Sequence, residues 1–342
     1  MLRKSFYLTL VVIAQIECLT AGVFASTHEF FKGKTVRIAV GASAGGAFDT
    51  YGRIVGRHLG KHIPGNPVIV VENVTGAGGL VLANQLYKGT RPDGLTIGTF
   101  NGALLMGQIL GRPGIEFDAR KFSYLGVPAK FDSVCGFSKA SGITSFDRWK
   151  ASKSLVKVGG TAPGSNTVDI PRVLMSVFGL PTQIISGYKG FAEIRLAVDG
   201  GELAGGCGGW DGLKVLWGKQ IEAGEVVVVI QTTAKPLPDL AKAPLAIDMA
   251  SNDEDRQLIQ VGLHDPALLG LLYALPPVTP KDRLQLLRKA FADTMTSADY
   301  LADTQRAKLN TDPGSGEELE KTVDRMFNLR PTVAGRLKEV LK

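Results

Sequence analysis

From Lys34 apolar and polar positions alternate, with Val36, Ile38 and Val40 on one face, and the alternation then stops in AVGASAGGAFD, residues 39–49. Tyr51, Val55, Leu59 and Ile63 follow at helical spacing, with Arg53, Arg57 and Lys61 on another face. This predicts a strand, a glycine-rich loop and an amphipathic helix. The unit repeats as PVIVVE, NVTGAGGL and LVLANQLYKG, a short helix closed by Gly89. RPDG then has the chemistry of a turn and leads into the strand LTIGTF, which runs to Asn101 and Gly102. Strand and helix in alternation predict a parallel sheet with covered faces, whose ligands gather at the carboxyl ends of the strands.

After GVPAKFDSV a second series begins. ITSFDRWKAS reads as a helix capped near Thr144 or Ser145, LVKVGGT as a strand, and APGSNTVDIPRVLMSVFGL as a loop and helix. TQIISGYKGF reads as a strand and turn, AEIRLAVDGGEL as a helix ending in glycines, and GEVVVVIQT as the most apolar strand. KPLPDLAKAPL is a proline-broken loop, PPVTPKDRLQLLRKAFADTM a helix entered through Pro280, and the last fifty residues are helical segments interrupted by NTDPGSGEE. The expectation is an α/β protein of two lobes, one from residues 26–128 and 251–342, the other from 129–250.

A glycine-rich loop between a strand and a helix lets several backbone N–H groups converge at the positive end of the helix dipole, which is an anion site. SAGGAFD and TGAGG therefore read as paired half-sites, with GGTAPGSNT as a third loop in the second lobe. Each loop could instead be a plain turn; three in register favour a shared pocket.

Composition narrows the alternatives. At 342 residues, with 44% hydrophobic and 21% charged residues and 42 glycines, the chain has enough apolar content for two cores. Residues 1–25 have a basic start at Arg3 and Lys4, an apolar stretch and Val23-Phe24-Ala25 before Ser26, the order of a secretory signal cleaved after Ala25. Its loss takes the formal charge from +7 to +6, a mild excess that suits an anionic small ligand as well as ordinary surface lysines. No Lys/Arg block interleaved with aromatics supports nucleic-acid binding.

The export signal leaves two cysteines, Cys135 and Cys207, either free or bridged; a bridge closing so long a loop would stabilise by about 4 kcal/mol. Gly-Lys-Thr at 33–35 has His28 where a Walker loop needs glycine, and no G-x-G-x-x-G opens the first helix, so neither nucleoside triphosphate nor nicotinamide chemistry is indicated. GGCGG at 205–209 has the form of a nucleophile elbow with Cys207 as nucleophile, which keeps an exported hydrolase as the contrasting reading. His58 and His62 stand one helical turn apart without a third ligand, and His264 carries no signal, so no metal or cofactor is expected.

Taken in order, the loops resemble the periplasmic solute receptors of tripartite tricarboxylate transporters, the Bug family. The resemblance rests on VRIAVGASAGGAFDTYGRIVGRHLGK, VIVVENVTGAGGLVLANQL, RPDGLTIGTF, GGTAPGSNT, Tyr188-Lys189-Gly190 and PPVTPKDRLQLLRKAFADTM. It implies a monomeric two-lobed binding protein of the Venus-flytrap type, not an enzyme, that closes over a ligand in a cleft between its lobes and hands it to membrane transporter subunits. The implied ligand is a small organic anion: a di- or tricarboxylate, an acidic amino acid or an aromatic acid. The implied site residues are Gly45, Gly46, Ala47, Asp49, Gly76, Gly78 and Gly79 from the first lobe and Thr161, Gly164, Ser165, Asn166 and Tyr188 from the second. Asn101, at a strand end, is added to them, and Asp49 is read as a helix cap because it would repel a carboxylate. The chain departs from many relatives at Ala204, where they carry aspartate, and Gly206, Gly208 and Gly209 suggest a bare pocket wall. A sensor that presents its closed form to a signalling partner would have the same site.

Overall fold

The computed structural model describes residues 29–42, 44–188 and 190–342; the signal segment, and Lys189 of the Tyr-Lys-Gly element, lie outside them. Eleven strands are found among the described residues: β1 (Thr35–Val40), β2 (Val68–Asn73), β3 (Thr96–Phe100), β4 (Ser123–Val127), β5 (Ser133–Ser138), β6 (Val156–Gly160), β7 (Thr182–Ser186), β8 (Gly205–Gly209), β9 (Val226–Gln231), β10 (Leu272–Leu275) and β11 (Gly314–Ser315). They form two sheets, in two compact units.

The first unit comprises residues 29–100, Glu116–Pro128 and Leu272–Glu318. Its sheet has the order β11-β4-β10-β3-β1-β2, with β1 parallel to both β2 and β3. The alternation from Lys34 has its expected consequence: Val36, Ile38 and Val40 are fully buried. So are Val55 and Leu59 of the helix Ala47–Leu59, whereas Arg53 and Arg57 are exposed. Gly52 and Gly56 let this helix lie directly on the sheet, since a Cβ on either would come within 2.8 and 2.6 Å of Val40 and Val71 respectively. The departures from a parallel sheet are β10, antiparallel to β3 and β4, and the short β11, antiparallel to β4.

The second unit comprises Asn101–Ile115, Ala129–Leu271 and Leu319–Lys342. Its sheet has the order β7-β6-β8-β5-β9, with β6 parallel to β7 and β8, and β5 antiparallel to β8 and β9. Helices Asn166–Phe178, Phe191–Asp199 and Trp210–Glu222 accompany it, and Ile194, Trp210, Leu213 and Trp217 form its core with Val134 and Val226. Residues 101–115, 251–271 and 319–342, expected in the first lobe, group here. The reasons are specific contacts: Arg336 of the helix Pro331–Val340 bonds to Ser176 Oγ at 3.0 Å and to Asp255 at 2.7 Å, and Gly262 packs on Val173 and Leu337.

Cys135 and Cys207 are register partners across β5 and β8 and are joined by a disulfide. Around it β8 is Gly-Gly-Cys-Gly-Gly, a strand without intrinsic strand preference that forms because it is paired on both sides.

Candidate functional site

In the first unit the loops after β1 and β2 leave the sheet side by side. They touch at Gly41 and Gly79, where a Cβ on Gly41 would lie 3.1 Å from the Gly79 Cα. Gly45 has φ +84°, and Gly76, Ala77, Gly78 and Gly79 have φ of 137°, 46°, 65° and 95°, a run of left-handed backbone that explains the glycines and strains Ala77. Gly45, Gly46 and Ala47 are exposed, as are Gly76 and Gly78, while Gly79 is buried.

Asp49 organises this pair. Its Oδ2 accepts from the Gly45 N–H at 2.8 Å and from Arg53 Nε at 3.0 Å, and its Oδ1 accepts from Asn73 Nδ2 at 2.9 Å. Asn73 also donates to the Ala42 carbonyl at 3.0 Å, so the end of β2 is tied to the loop after β1. Hydrogen bonding to Arg53, reinforced by Gly45 and Asn73, lowers the Asp49 carboxyl from 3.8 to about 2 against the opposing effect of burial. Asp49 is thus not the N-cap, which is Gly46; it lies in the first turn, and its oxygens are occupied by protein donors. Of the expected backbone donors, Gly45 is spent on Asp49 and Gly79 on the Gly76 carbonyl. The N–H groups of Gly46, Ala47, Gly76 and Gly78 have no acceptor among the described residues. Two of them belong to the opening turn of a helix, where the dipole favours an anion.

The second unit repeats the device after β6. Gly164, at φ +86°, donates its N–H to Asp169 Oδ1 at 3.0 Å, and Ser165 occupies the N-cap position of the helix that starts at Asn166 without a side-chain cap bond. Burial pushes the Asp169 carboxyl up, where Asp49 is pushed down. Thr161, Ser165 and Thr167 close a triangle of hydroxyls at 2.8 to 2.9 Å, so the first two side chains brace the loop. Asn166 is exposed, with no partner for its amide or its backbone N–H among the described residues.

Two expected residues are engaged elsewhere. Tyr188 donates its hydroxyl to Glu202 at 2.8 Å. Asn101 accepts from the Ala103 N–H at 2.9 Å and starts the helix Ala103–Ile109. Glu202 lines an open groove of about 910 Å³ at the amino ends of β6 and β8, the opposite end of the sheet from the loop after β6. The groove contains none of the expected donors.

No family model matches this chain, and no curated protein does. Among solved structures, a TctC solute-binding protein from Polaromonas superposes with a TM-score of 0.71 at 16% identity, covering 90% of this chain and 97% of that one. The periplasmic binding protein BugD gives 0.59 at 18% identity over 90% and 97%. A Rhodopseudomonas palustris protein with adipate gives 0.61 at 20% identity over 89% and 97%. The chain has the TctC and BugD fold.

Within that fold the glycines of β8 are not a bare wall. A Cβ on Gly206 or Gly208 would stand 3.4 and 3.1 Å from the ring of Phe191, which covers both. Only Gly209 has open space, with the Asp132 carbonyl 3.9 Å away. Cys207 is fully buried and disulfide-bonded in the middle of the strand, so the elbow geometry and a nucleophilic thiol are both absent there. His58 is a buried partner of Asp303 at 2.9 Å, and no group of three or more His, Cys, Asp or Glu among the described residues could hold a metal.

One residue of the second unit escaped the sequence reading: Arg112, whose guanidinium lies against Gly164. It stands alone in Gly-Arg-Pro-Gly, a turn by composition, and no pattern along the chain connects it to a loop fifty residues on.

Proposed function

We propose that the chain is a periplasmic solute-binding receptor that captures a small carboxylate-bearing ligand and delivers it to a membrane transporter of the tripartite tricarboxylate type. The observation that carries this reading is the duplicated device: in each unit a left-handed glycine is clamped by an aspartate in the following helical turn, and the neighbouring N–H groups at the helix start have no acceptor among the described residues. Such groups are suited to an anion and to little else. The ligand-bound form is favoured by the ligand's differential affinity for it. The R. palustris protein MatC, whose structure holds malate, and the adipate-bearing protein share the fold and support a carboxylate as the ligand class. Residues 1–25 supply the export signal and place the mature chain in the periplasm.

The test is a thermal-shift panel on the mature protein, unfolded and refolded to remove carried-over ligand, against mono-, di- and tricarboxylates, amino acids and aromatic acids. A concentration-dependent rise in Tm with one carboxylate class is expected. No rise with any anion would mean that the glycine loops are turns only, and the receptor reading would be withdrawn.

A further inference from the structure

Among the described residues, the other arginines that are buried or half-buried spend their guanidinium groups on the chain itself, as do several exposed ones. Arg53, Arg288, Arg325 and Arg336 each hold a carboxylate. Arg112 does not. Its backbone is fixed, with its N–H donating to the Gly107 carbonyl at 2.9 Å, and the side chain is half-buried. Yet among the described residues no acceptor and no ion-pair partner engages its guanidinium. Five N–H donors in a rigid fork, partly removed from water and unpaired, are costly unless something else completes them.

What they face is a cavity of about 30 Å³ within the second unit, lined by Arg112 with Ser133, Gly164, Asn166 and Thr232. The guanidinium lies against the loop, where a Cβ on Gly164 would meet its Nη1 at 2.9 Å; it is the φ of +86° that favours glycine there. The N–H groups of Asn166 and Thr167, with no acceptor among the described residues, open the helix beside it. The acid nearest the site, Asp169, has one oxygen on the Gly164 N–H and feels Arg112 only through space. A turn of π-helix, Gln260–His264, contributes Gly262 and Leu263 to the wall, an irregularity often found where a helix has been adapted to a site. The volume is about that of one water molecule, comparable to a single carboxylate oxygen.

We infer that Arg112 binds the ligand, receiving one of its carboxylate groups on the guanidinium fork, and that it selects ligands carrying a second negative charge. The inference rests on the receptor reading and adds to it a residue and a substrate class. Without Arg112 the second-unit loop would offer an anion two N–H groups beside the carboxyl of Asp169, a weak site; with it the local balance becomes attractive.

The experiment uses the mature chain, refolded without ligand, and isothermal titration with malate, adipate and citrate, with the mono-amide of adipate and with butyrate. The wild type is expected to prefer a di- or tricarboxylate to the mono-amide and to butyrate. Arg112→Gln should weaken that acid by about ten- to a hundredfold, the range of a charged hydrogen bond, and leave the mono-amide nearly unchanged. Arg112→Lys, which keeps the charge and loses the fork, should fall between; it also serves if the glutamine variant fails to fold by circular dichroism. If either folded variant keeps the wild-type affinity and preference for the acid, the assignment of Arg112 falls while the receptor reading stands. A wild type that binds only singly charged acids has the same meaning. A wild type that binds none of the panel, here and in the thermal-shift test, removes both.

Discussion

At Asp49 both oxygens are engaged, by Gly45 and Arg53 on one side and Asn73 on the other, so removing its charge probes the architecture of the first loop pair and not a ligand contact. Asp49→Asn should destabilise the protein at pH 7 by about 1.5 to 3 kcal/mol, the usual cost of hydrogen bonds to a charged group, and weaken ligand binding through the loosened Gly45 loop. The pH dependence has a definite sign. A carboxyl whose folded value, about 2, lies below its ordinary 3.8 adds stability that is complete above the higher value and is lost as pH falls through the lower. Urea titrations of both proteins should therefore show a difference that is full at pH 7, shrinks below pH 4 and is nearly gone at pH 2. A difference that persists undiminished at pH 2 would mean that the side chain acts through packing alone.

Among the secondary-structure elements, β8 departs most from what its sequence suggests. Gly205–Gly209 has no side chain to bury except Cys207, so its place in the sheet depends on its hydrogen-bonded neighbours, on Phe191 over Gly206 and Gly208, and on the disulfide. Linking residues 72 positions apart is worth about 4 kcal/mol in the chain-entropy account. The double variant Cys135→Ala/Cys207→Ala should show a loss of that order in urea unfolding, with ligand affinity in the folded state unchanged within about twofold; an affinity loss much beyond that would place the strand in the site. The same strand shows where sequence reading reaches its limit. Strands followed by loops, such as β1, β2 and β6, were legible because alternation, glycine and helical spacing succeed one another within thirty residues. GGCGG has no periodicity to read, and LLYALPP, which holds β10, is a short apolar run equally at home in a helix. Its antiparallel pairing with β3 and β4 is decided by residues more than a hundred positions away. Arg112 was hidden for the same reason, since only the fold brings it to Gly164.

For the molecule as a whole, the two units should respond to acid in different ranges. In the second unit His264 is buried, its Nε2 without a partner among the described residues, and burial with the nearby Arg325 lowers it from 6.5 to about 4. The unfolded chain then takes up this proton first, so stability falls as pH drops below 6.5 and stops falling near 4. Asp265, paired with Arg325 and raised by burial, acts in the opposite sense toward the lower end of that range, so the contribution of His264 is best isolated by comparison with His264→Gln. In the first unit the lowered groups are Asp49, Asp118, Asp299, Asp303 and Glu317, and their contribution is lost only below about pH 4.5. All three tryptophans, Trp149, Trp210 and Trp217, belong to the second unit, so their fluorescence reports on it alone while circular dichroism reports on both. Between pH 6.5 and 4 the urea midpoint by tryptophan fluorescence should fall ahead of the remaining dichroism signal, and His264→Gln should flatten that fall. Coincident midpoints at every pH would mean that the units unfold together. Because Gly262 and Leu263, immediately before His264, line the Arg112 cavity, the ligand titrations belong above pH 6.5, where this part of the wall is at full stability.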